Sequence, residues 1–290
     1  MSFKKRKLAI AIPASVVSDT PHLREKTSKI GSIGRAAAIF RVNEIIIYSD
    51  SPKTNQKADM ELVNTLLSYM ETPQYLRRRL FALRPELQYA GILPPLRTPH
   101  HPLNSKMKEL IRGEYREGVV VSQITQGTLV DIGVEKPALL PNVKEPMGKR
   151  LTLAIMKING QIEAELTNRD AIMEYWGYTV TSEQKTFTKM LENRNFDLTV
   201  ATSRYGVLFN DVAKEMAQKW KEADTILLAF GSPTKGLSEM AKQEGFNLTD
   251  VVDFAVNTIP AQATETVRTE EALLASLAIF NMEFTYLCPP

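Results

Sequence analysis

Cysteine is nearly absent from this 290-residue chain: it has one, Cys288, alongside three histidines, His22, His100 and His101. A lone cysteine closes no internal disulfide, and so few soft donors make a structural zinc site a poor expectation; no metal is expected. Long apolar runs are also lacking, and no window approaches the roughly 20 residues that span a bilayer. The opening MSFKKRKLAIAIP is basic, but its apolar stretch is too short for a secretory signal. A cytoplasmic protein is the expectation, or a nuclear one in a eukaryote. The familiar nucleotide signatures are missing as well. GSPTKGL sets a lysine between glycines without forming G-x-x-x-x-G-K-[ST], no G-x-G-x-x-G follows a strand pattern, and no G-x-S-x-G elbow occurs. Gly31-Ser32-Ile33-Gly34 has the spacing of an RNA-clamping G-x-x-G loop, but one tetrapeptide carries little weight.

What is present describes a globular chain. Hydrophobic residues make up 43% and charged residues 24%, enough to bury one large core or two moderate ones. The net charge of +3 is unevenly spread: residues 1–100 hold 16 Lys and Arg against 8 Asp and Glu, and the remaining 190 hold 20 against 25. A basic first third suits a polyanionic partner, because Lys and Arg neutralise phosphates and release counterions. Basic side chains on solvated faces would give the same count, so charge alone does not decide.

Hydrophobic period divides the chain into three stretches. Leu8–Ile12 reads as a buried strand, and Thr20-Pro21 as the cap and first-turn proline of a helix running through Phe40, with an interruption near Gly31–Gly34. Glu44–Ser49 is a second strand, and Asp59–Met70 and Gln74–Leu83 are helical by period, giving a βαβα beginning. After Gly91 the proline-rich ILPPLRTPHHPLN marks a boundary. Between Glu117 and Leu166, GVVVSQ, TLVDIGV, PALLP, RLTLAIMKI and QIEAEL read as short strands of a small β-barrel. Alternation then resumes: Gly177–Val180, a helix near Phe187–Glu192, Leu198–Ala201, a helix over Asp211–Trp220, the strand Thr225–Phe230, the strand Val251–Val256, and an apolar last helix over Thr269–Phe280. The expected domains are a discontinuous α/β domain of residues 1–105 and 172–290, with residues 106–171 inserted as the barrel.

Three strand ends in the last stretch lead into loops of small and hydroxylated residues: Thr202–Gly206, Gly231–Gly236 and Asn257–Thr264. In open α/β sheets ligands bind outside the carboxyl ends of strands, so three such loops side by side would offer backbone groups to a nucleoside-like ligand. Each alone is equally well an ordinary turn.

Read together, KIGSIGRAAAIFRVNEIII, FGSPTKGL and NTIPAQATETVRTEEALLASLAIF resemble the three motifs of the SpoU branch of the SPOUT RNA methyltransferases, with Arg35 at the arginine of the first motif. With TPQYLRRRLF, PHHP and YREGVV, the chain is similar over nearly its whole length to an archaeal and eukaryotic branch of that superfamily carrying an OB-like insert. The resemblance implies an α/β SPOUT knot, a parallel sheet with a C-terminal trefoil knot, into which a small OB-like β-barrel is inserted. Periodicity could not suggest a knot, since connections rarely thread. It also implies S-adenosylmethionine as cofactor, RNA as substrate and a homodimer.

Two departures bear on the target atom. The glycine loop lacks the usual glutamate within Ser232–Lys235, and Thr266-Val267-Arg268 stands where S-L-N is usual. A base nitrogen is therefore expected rather than a ribose hydroxyl, and the resemblance to this branch implies N3 of a uridine in ribosomal RNA. Thr202, Ser203, Gly231, Ser232, Pro233, Gly236, Asn257, Ile259, Pro260, Gln262 and Thr266 are the expected cofactor residues, acting largely through backbone groups. Arg35, Arg268 and Glu271 are the candidate catalytic residues, for charge stabilisation and proton transfer. For Glu271, favourable charge at a helix N-terminus is an equally ordinary purpose. Arg77, Arg78, His100 and His101 are candidate RNA contacts, although Arg77–Arg79 also suit a solvated face and the histidines a surface pair. A non-catalytic RNA-binding or scaffold protein with a vestigial knot is the competing reading. Residues 117–166 hold no aromatic, which leaves the barrel strands without stacking platforms.

Overall fold

The computed structural model describes residues 6–51 and 54–284, and Cys288 lies outside them. The first elements are β1 (Lys7–Pro13), α1 (Leu23–Ile39), β2 (Glu44–Tyr48), α2 (Lys57–Glu71) and α3 (Gln74–Leu80). Next come β3 (Tyr115–Ile124), β4 (Gly127–Asp131), β5 (Ala138–Pro141), β6 (Arg150–Asn159) and β7 (Gln161–Leu166). The chain continues with β8 (Thr179–Glu183), α4 (Phe187–Glu192), β9 (Leu198–Leu208), α5 (Phe209–Glu222) and β10 (Thr225–Ala229). It ends in α6 (Leu237–Gln243), α7 (Leu248–Val251), β11 (Phe254–Asn257) and α8 (Thr269–Phe284). Two compact units result: of the described residues, those within 6–68, 86–94 and 178–284 form one, and residues 69–85 and 95–177 the other.

The first unit is a six-stranded, all-parallel sheet in the order β11-β9-β10-β1-β2-β8. Parallel strands buried on both faces need apolar side chains at every position, which explains runs such as IAI and III. Ala9, Ala11, Ile46, Tyr48, Leu227 and Ala229 pack with Phe187, Met190, Leu237 and Met240 of α4 and α6. The intervening Ile10, Ile12, Ile45, Ile47, Ile226 and Leu228 point the other way and are equally buried. Tyr48 keeps its hydroxyl satisfied in this core by donating to the Phe230 carbonyl at 2.7 Å. Helices α5 and α8 meet through aromatic rings, with Trp220 and Phe284 4.7 Å apart and Phe209 and Phe280 5.5 Å apart.

Several sequence expectations shift here. Helix α1 runs unbroken, and Gly31 serves close packing instead: a Cβ there would lie 2.9 Å from the Pro94 ring. Thr20 does not cap it; the helix begins at Leu23 after an uncapped His22, and Thr20 donates to Asp19. The last strand starts three residues later than expected, because residues 248–251 close the helical turn α7. The last helix continues four residues beyond Phe280 to Phe284.

The second unit contains a closed five-stranded barrel in the order β3-β4-β5-β7-β6, antiparallel except where β5 meets β7. Val130, Ile132, Ala138, Leu140, Leu153, Ile155 and Ile162 fill its interior, the inward set of an alternating pattern. Beside this core lies a network of charges whose carboxylates are buried and whose guanidinium groups are partly exposed. The Arg150 guanidinium donates to Glu71 at 2.6 Å and to Glu117 at 2.6 Å, and Arg169 reaches Glu71 at 2.5 Å. Glu117 also accepts from Thr152 Oγ1 and from the indole of Trp176. Burial opposes charge on Arg150, but Glu71 and Glu117 outweigh it and push its pKa up.

His100 and His101 belong to this network, which corrects the expectation of a surface pair. His100 has no solvent exposure. Its Nε2 lies 3.0 Å from the Glu71 carbonyl, and Nε2 of His101 lies 2.7 Å from the same oxygen. Burial holds both imidazoles below the usual histidine range, His100 the further. The prolines of PHHP suggested an exposed loop; the carbonyl at the end of α2 is what draws the rings inward.

Candidate active site

The strands of a parallel sheet all end on one edge, so β9, β10 and β11, which are neighbours, bring their following residues together. Residues 202–206 were expected to be a loop after a short strand. They lie within β9, but the pairing with β11 steps from Ala201 to Val207 between Ala255 and Val256, so the five residues bulge out of register. Gly206 makes this possible: a Cβ there would sit 2.6 Å from the Ala255 carbonyl oxygen and 2.7 Å from the Val256 nitrogen.

Side-chain to backbone bonds shape each loop. Thr202 Oγ1 donates to the Ala229 carbonyl at 3.0 Å, tying the bulge to β10. After β10, Ser232 Oγ accepts from the Lys235 amide at 3.0 Å, and the Ser232 amide donates to the Lys235 carbonyl at 2.9 Å. After β11, Asn257 Oδ1 accepts from the Ile259 amide at 2.9 Å while its Nδ2 donates to the Arg204 carbonyl at 3.0 Å. Thr269, the first residue of α8, donates to the Gly231 carbonyl at 3.0 Å.

Together the loops enclose a cavity of about 310 Å3, within the size range of small-molecule sites. Of the expected cofactor residues, Thr202, Ser203, Gly231, Ser232, Pro233 and Gly236 line it. So do Asn257, Ile259, Gln262 and Thr266. Pro260 does not line it and is exposed. Close approach explains Gly231, whose Cβ would meet the Lys235 carbonyl at 3.0 Å, but not Gly236, where a Cβ meets nothing within 4 Å. Arg204 and Tyr205, inside the first of the three expected loops, carried no expected role, and both line the cavity. Glu239 and Glu265 line it too and were not expected at all; one lies inside a helix and the other between motif positions, and neither carries a local signal.

The candidate catalytic residues take different places. Arg35 is half-buried on α1, the helix that packs against α8. Arg268 precedes α8 and is exposed, and its backbone amide donates to Glu271 Oε2 at 2.9 Å. That contact is one half of a capping box, so Glu271 has a structural partner. Its neighbour Glu270 faces α1, where Lys29 lies 3.4 Å away; Lys29 is buried and also pairs with Asp19 at 2.7 Å. Burial raises Asp19, but the Lys29 ammonium outweighs it and holds the carboxyl below its ordinary range. In the other unit, Arg77 donates to the Thr72 carbonyl at 2.9 Å and covers the Tyr69 ring at 4.6 Å, whereas Arg78 is exposed. Among the described residues no group of three or more His, Cys, Asp or Glu side chains is placed to hold a metal ion.

A family profile described as "Putative RNA methyltransferase" matches residues 7–280. A human protein named 28S rRNA (uridine-N(3))-methyltransferase is 30% identical over 297 residues, covering 93% of this chain and 77% of the human one. The mouse protein of the same name is 32% identical over 309 residues, covering 96% and 77%. An uncharacterized protein of Halobacterium salinarum is 31% identical over 94% of this chain and 98% of its own length.

Proposed function

The chain belongs to this family of RNA methyltransferases, and from that premise we propose that it methylates N3 of a uridine in large-subunit ribosomal RNA, with S-adenosylmethionine as methyl donor. The observation that carries the proposal is the cavity built by the ends of β9, β10 and β11. Its lining of backbone amides, hydroxyls and amide side chains suits a nucleoside, and Glu239 and Glu265 at its border suit the cationic end of the donor. When bound, the donor supplies an electrophilic methyl group on a sulfonium. The names of the human and mouse relatives support uridine N3 as the target.

Methyl transfer by in-line displacement asks the protein chiefly to position and to manage one proton. Backbone groups of Gly231, Ile259 and Gln262 would hold the nucleoside, with Thr202 and Thr266 beside them. Uridine N3 carries a proton that must leave, and the negative charge left on the base calls for a cation. We assign that role to Arg35, assisted by Arg268 at the start of α8. We read the parallel-sheet unit as a SPOUT domain with a C-terminal trefoil knot, and the barrel as OB-like, a reading supported by its strand order β3-β4-β5-β7-β6. We read the protein as a homodimer, which rests on the resemblance to the SPOUT enzymes.

Calorimetry with S-adenosylhomocysteine, and with ATP and NAD as controls, tests the cofactor. Micromolar binding of the first alone is expected, and absence of binding by the folded protein overturns the methyltransferase reading. Arg35→Ala is expected to abolish methylation of unmodified ribosomal RNA while leaving S-adenosylhomocysteine affinity unchanged. Wild-type turnover in that variant would remove Arg35 from the mechanism.

A further inference from the structure

We propose that Tyr205, braced by Arg204, is a prebuilt stacking platform for a base of the RNA substrate at the mouth of the cavity. The inference rests on the RNA methyltransferase reading and adds where the RNA is gripped.

An aromatic ring in a folded protein is ordinarily at least half covered, because its apolar faces gain from leaving water. Among the described residues two aromatic side chains are exposed, Phe246 at 40% and Tyr205 at 79%, and of these Tyr205 borders the cavity. The exposed ring is not a loose one. Arg204 holds its guanidinium over the ring, 4.7 Å from the centroid, and donates to the Tyr205 hydroxyl. Arg204 is itself anchored, donating through its other terminal nitrogen to the Glu265 carbonyl at 2.5 Å, while its own carbonyl accepts from Asn257. The Tyr205 amide donates to Ser203 Oγ at 3.2 Å, and Gly206 seats the bulge against the β11 backbone.

The result is a ring with a cation on one face and solvent on the other, its orientation fixed before any ligand arrives. Ordering entropy, the usual cost of capturing a base, is therefore largely met in advance. A nucleobase has a flat π-face to lay on the open side, and stacking of this kind tolerates any base. The phosphate beside such a base is an anion, for which Arg204 is the adjacent donor. A cofactor base is the poorer occupant, since the cavity floor is formed by buried Phe230, Thr258 and Thr269 whereas the ring stands at the exposed rim. The one aromatic on the barrel strands, Tyr115 of β3, is half-buried with its ring edge-on to Trp176 and does not offer an open face of this kind.

The test compares the wild type with Tyr205→Ala, Tyr205→Phe and Arg204→Ala. Fluorescence anisotropy with a labelled single-stranded oligouridylate reads RNA affinity, and calorimetry reads S-adenosylhomocysteine affinity. Tyr205→Ala is expected to weaken RNA binding about tenfold or more, with cofactor affinity and molar mass in solution unchanged. Tyr205→Phe keeps the ring and is expected to bind RNA as the wild type does. Arg204→Ala is expected to lower the slope of log affinity against log salt by about one. Unchanged RNA affinity in Tyr205→Ala overturns the platform. So does a matching loss of cofactor affinity, which would make the ring part of the cofactor seat, or a change of molar mass, which would make it a contact between two copies. A wild type that binds RNA but not S-adenosylhomocysteine sinks the functional reading, and only the variants then decide the platform.

Discussion

The polar residues around Glu71 and those around the cavity are built for opposite ends. In the barrel unit, two buried carboxylates are satisfied by two partly exposed guanidinium groups, an indole and a threonine hydroxyl. An ion network of this kind tolerates few alternatives, because removing a cation strands a buried charge. In the sheet unit, the loops at the ends of β9, β10 and β11 bond mainly to their own backbone and leave a space between them. The groups with the strongest chemistry, His100, His101, Arg77 and Arg150, hold the scaffold, whereas small residues of modest chemistry line the cavity.

The strongest way to break this contrast is Arg150→Ala. It leaves Glu71 and Glu117 buried with one cation fewer between them, and a loss of about 3–5 kcal/mol is expected. Urea denaturation followed by circular dichroism would measure it, and a loss below about 1 kcal/mol would mean that solvent reaches the network and screens it. Second in size is Gly206→Ala, which forces the bulge of β9 away from Ala255 and Val256. A stability loss of about 1–3 kcal/mol is expected from the strain, together with weaker S-adenosylhomocysteine binding. Unaltered binding would show that the bulge does not shape the cavity.

A third measurement uses pH. His100 and His101 are neutral in the folded state because burial lowers their pKa, so the unfolded chain binds more protons once pH falls below about 6.5. Their contribution is complete above that value and is lost as pH drops toward the folded pKa values, by up to about 1.4 kcal/mol per pH unit for each histidine. Stability of His101→Gln against pH should be flatter than that of the wild type between pH 6.5 and about 5. Parallel curves would show that the ring is not held neutral.

The smallest effect sharpens the other side of the contrast. Glu271→Ala should cost about 1 kcal/mol by leaving the Arg268 amide without its acceptor, and Glu271→Gln, which can still accept from it, should cost almost nothing. Turnover retained in the glutamine variant would confine Glu271 to capping. Turnover lost there with the fold intact would make it the proton acceptor.

Much of this was legible in the residues. The run of strands from Glu117 to Leu166 announced a small barrel because alternation and turn residues repeat at short intervals, and the three hydroxyl-rich loops announced the lining of the cavity. The part of β9 beyond Ala201 was not legible. Thr202 to Gly206 has the composition of a turn, and its extended, bulged course depends on β11 lying alongside, some 50 residues further on. The depth of His100 was hidden for a similar reason, since the carbonyl it meets belongs to Glu71.

Period and composition, which are local, determined that strands and helices alternate at both ends of the chain, that a small barrel lies between them, and that glycine, serine and threonine follow the later strands. Hydrophobic burial acts on neighbours one or two residues apart in a strand and three or four apart in a helix, so a sequence displays it openly. Which loops meet, which histidine is buried, and which tyrosine stands braced beside the cavity were decided by the tertiary structure alone. Those outcomes depend on strand order and on contacts between residues tens to hundreds of positions apart, and no local pattern encodes such distances.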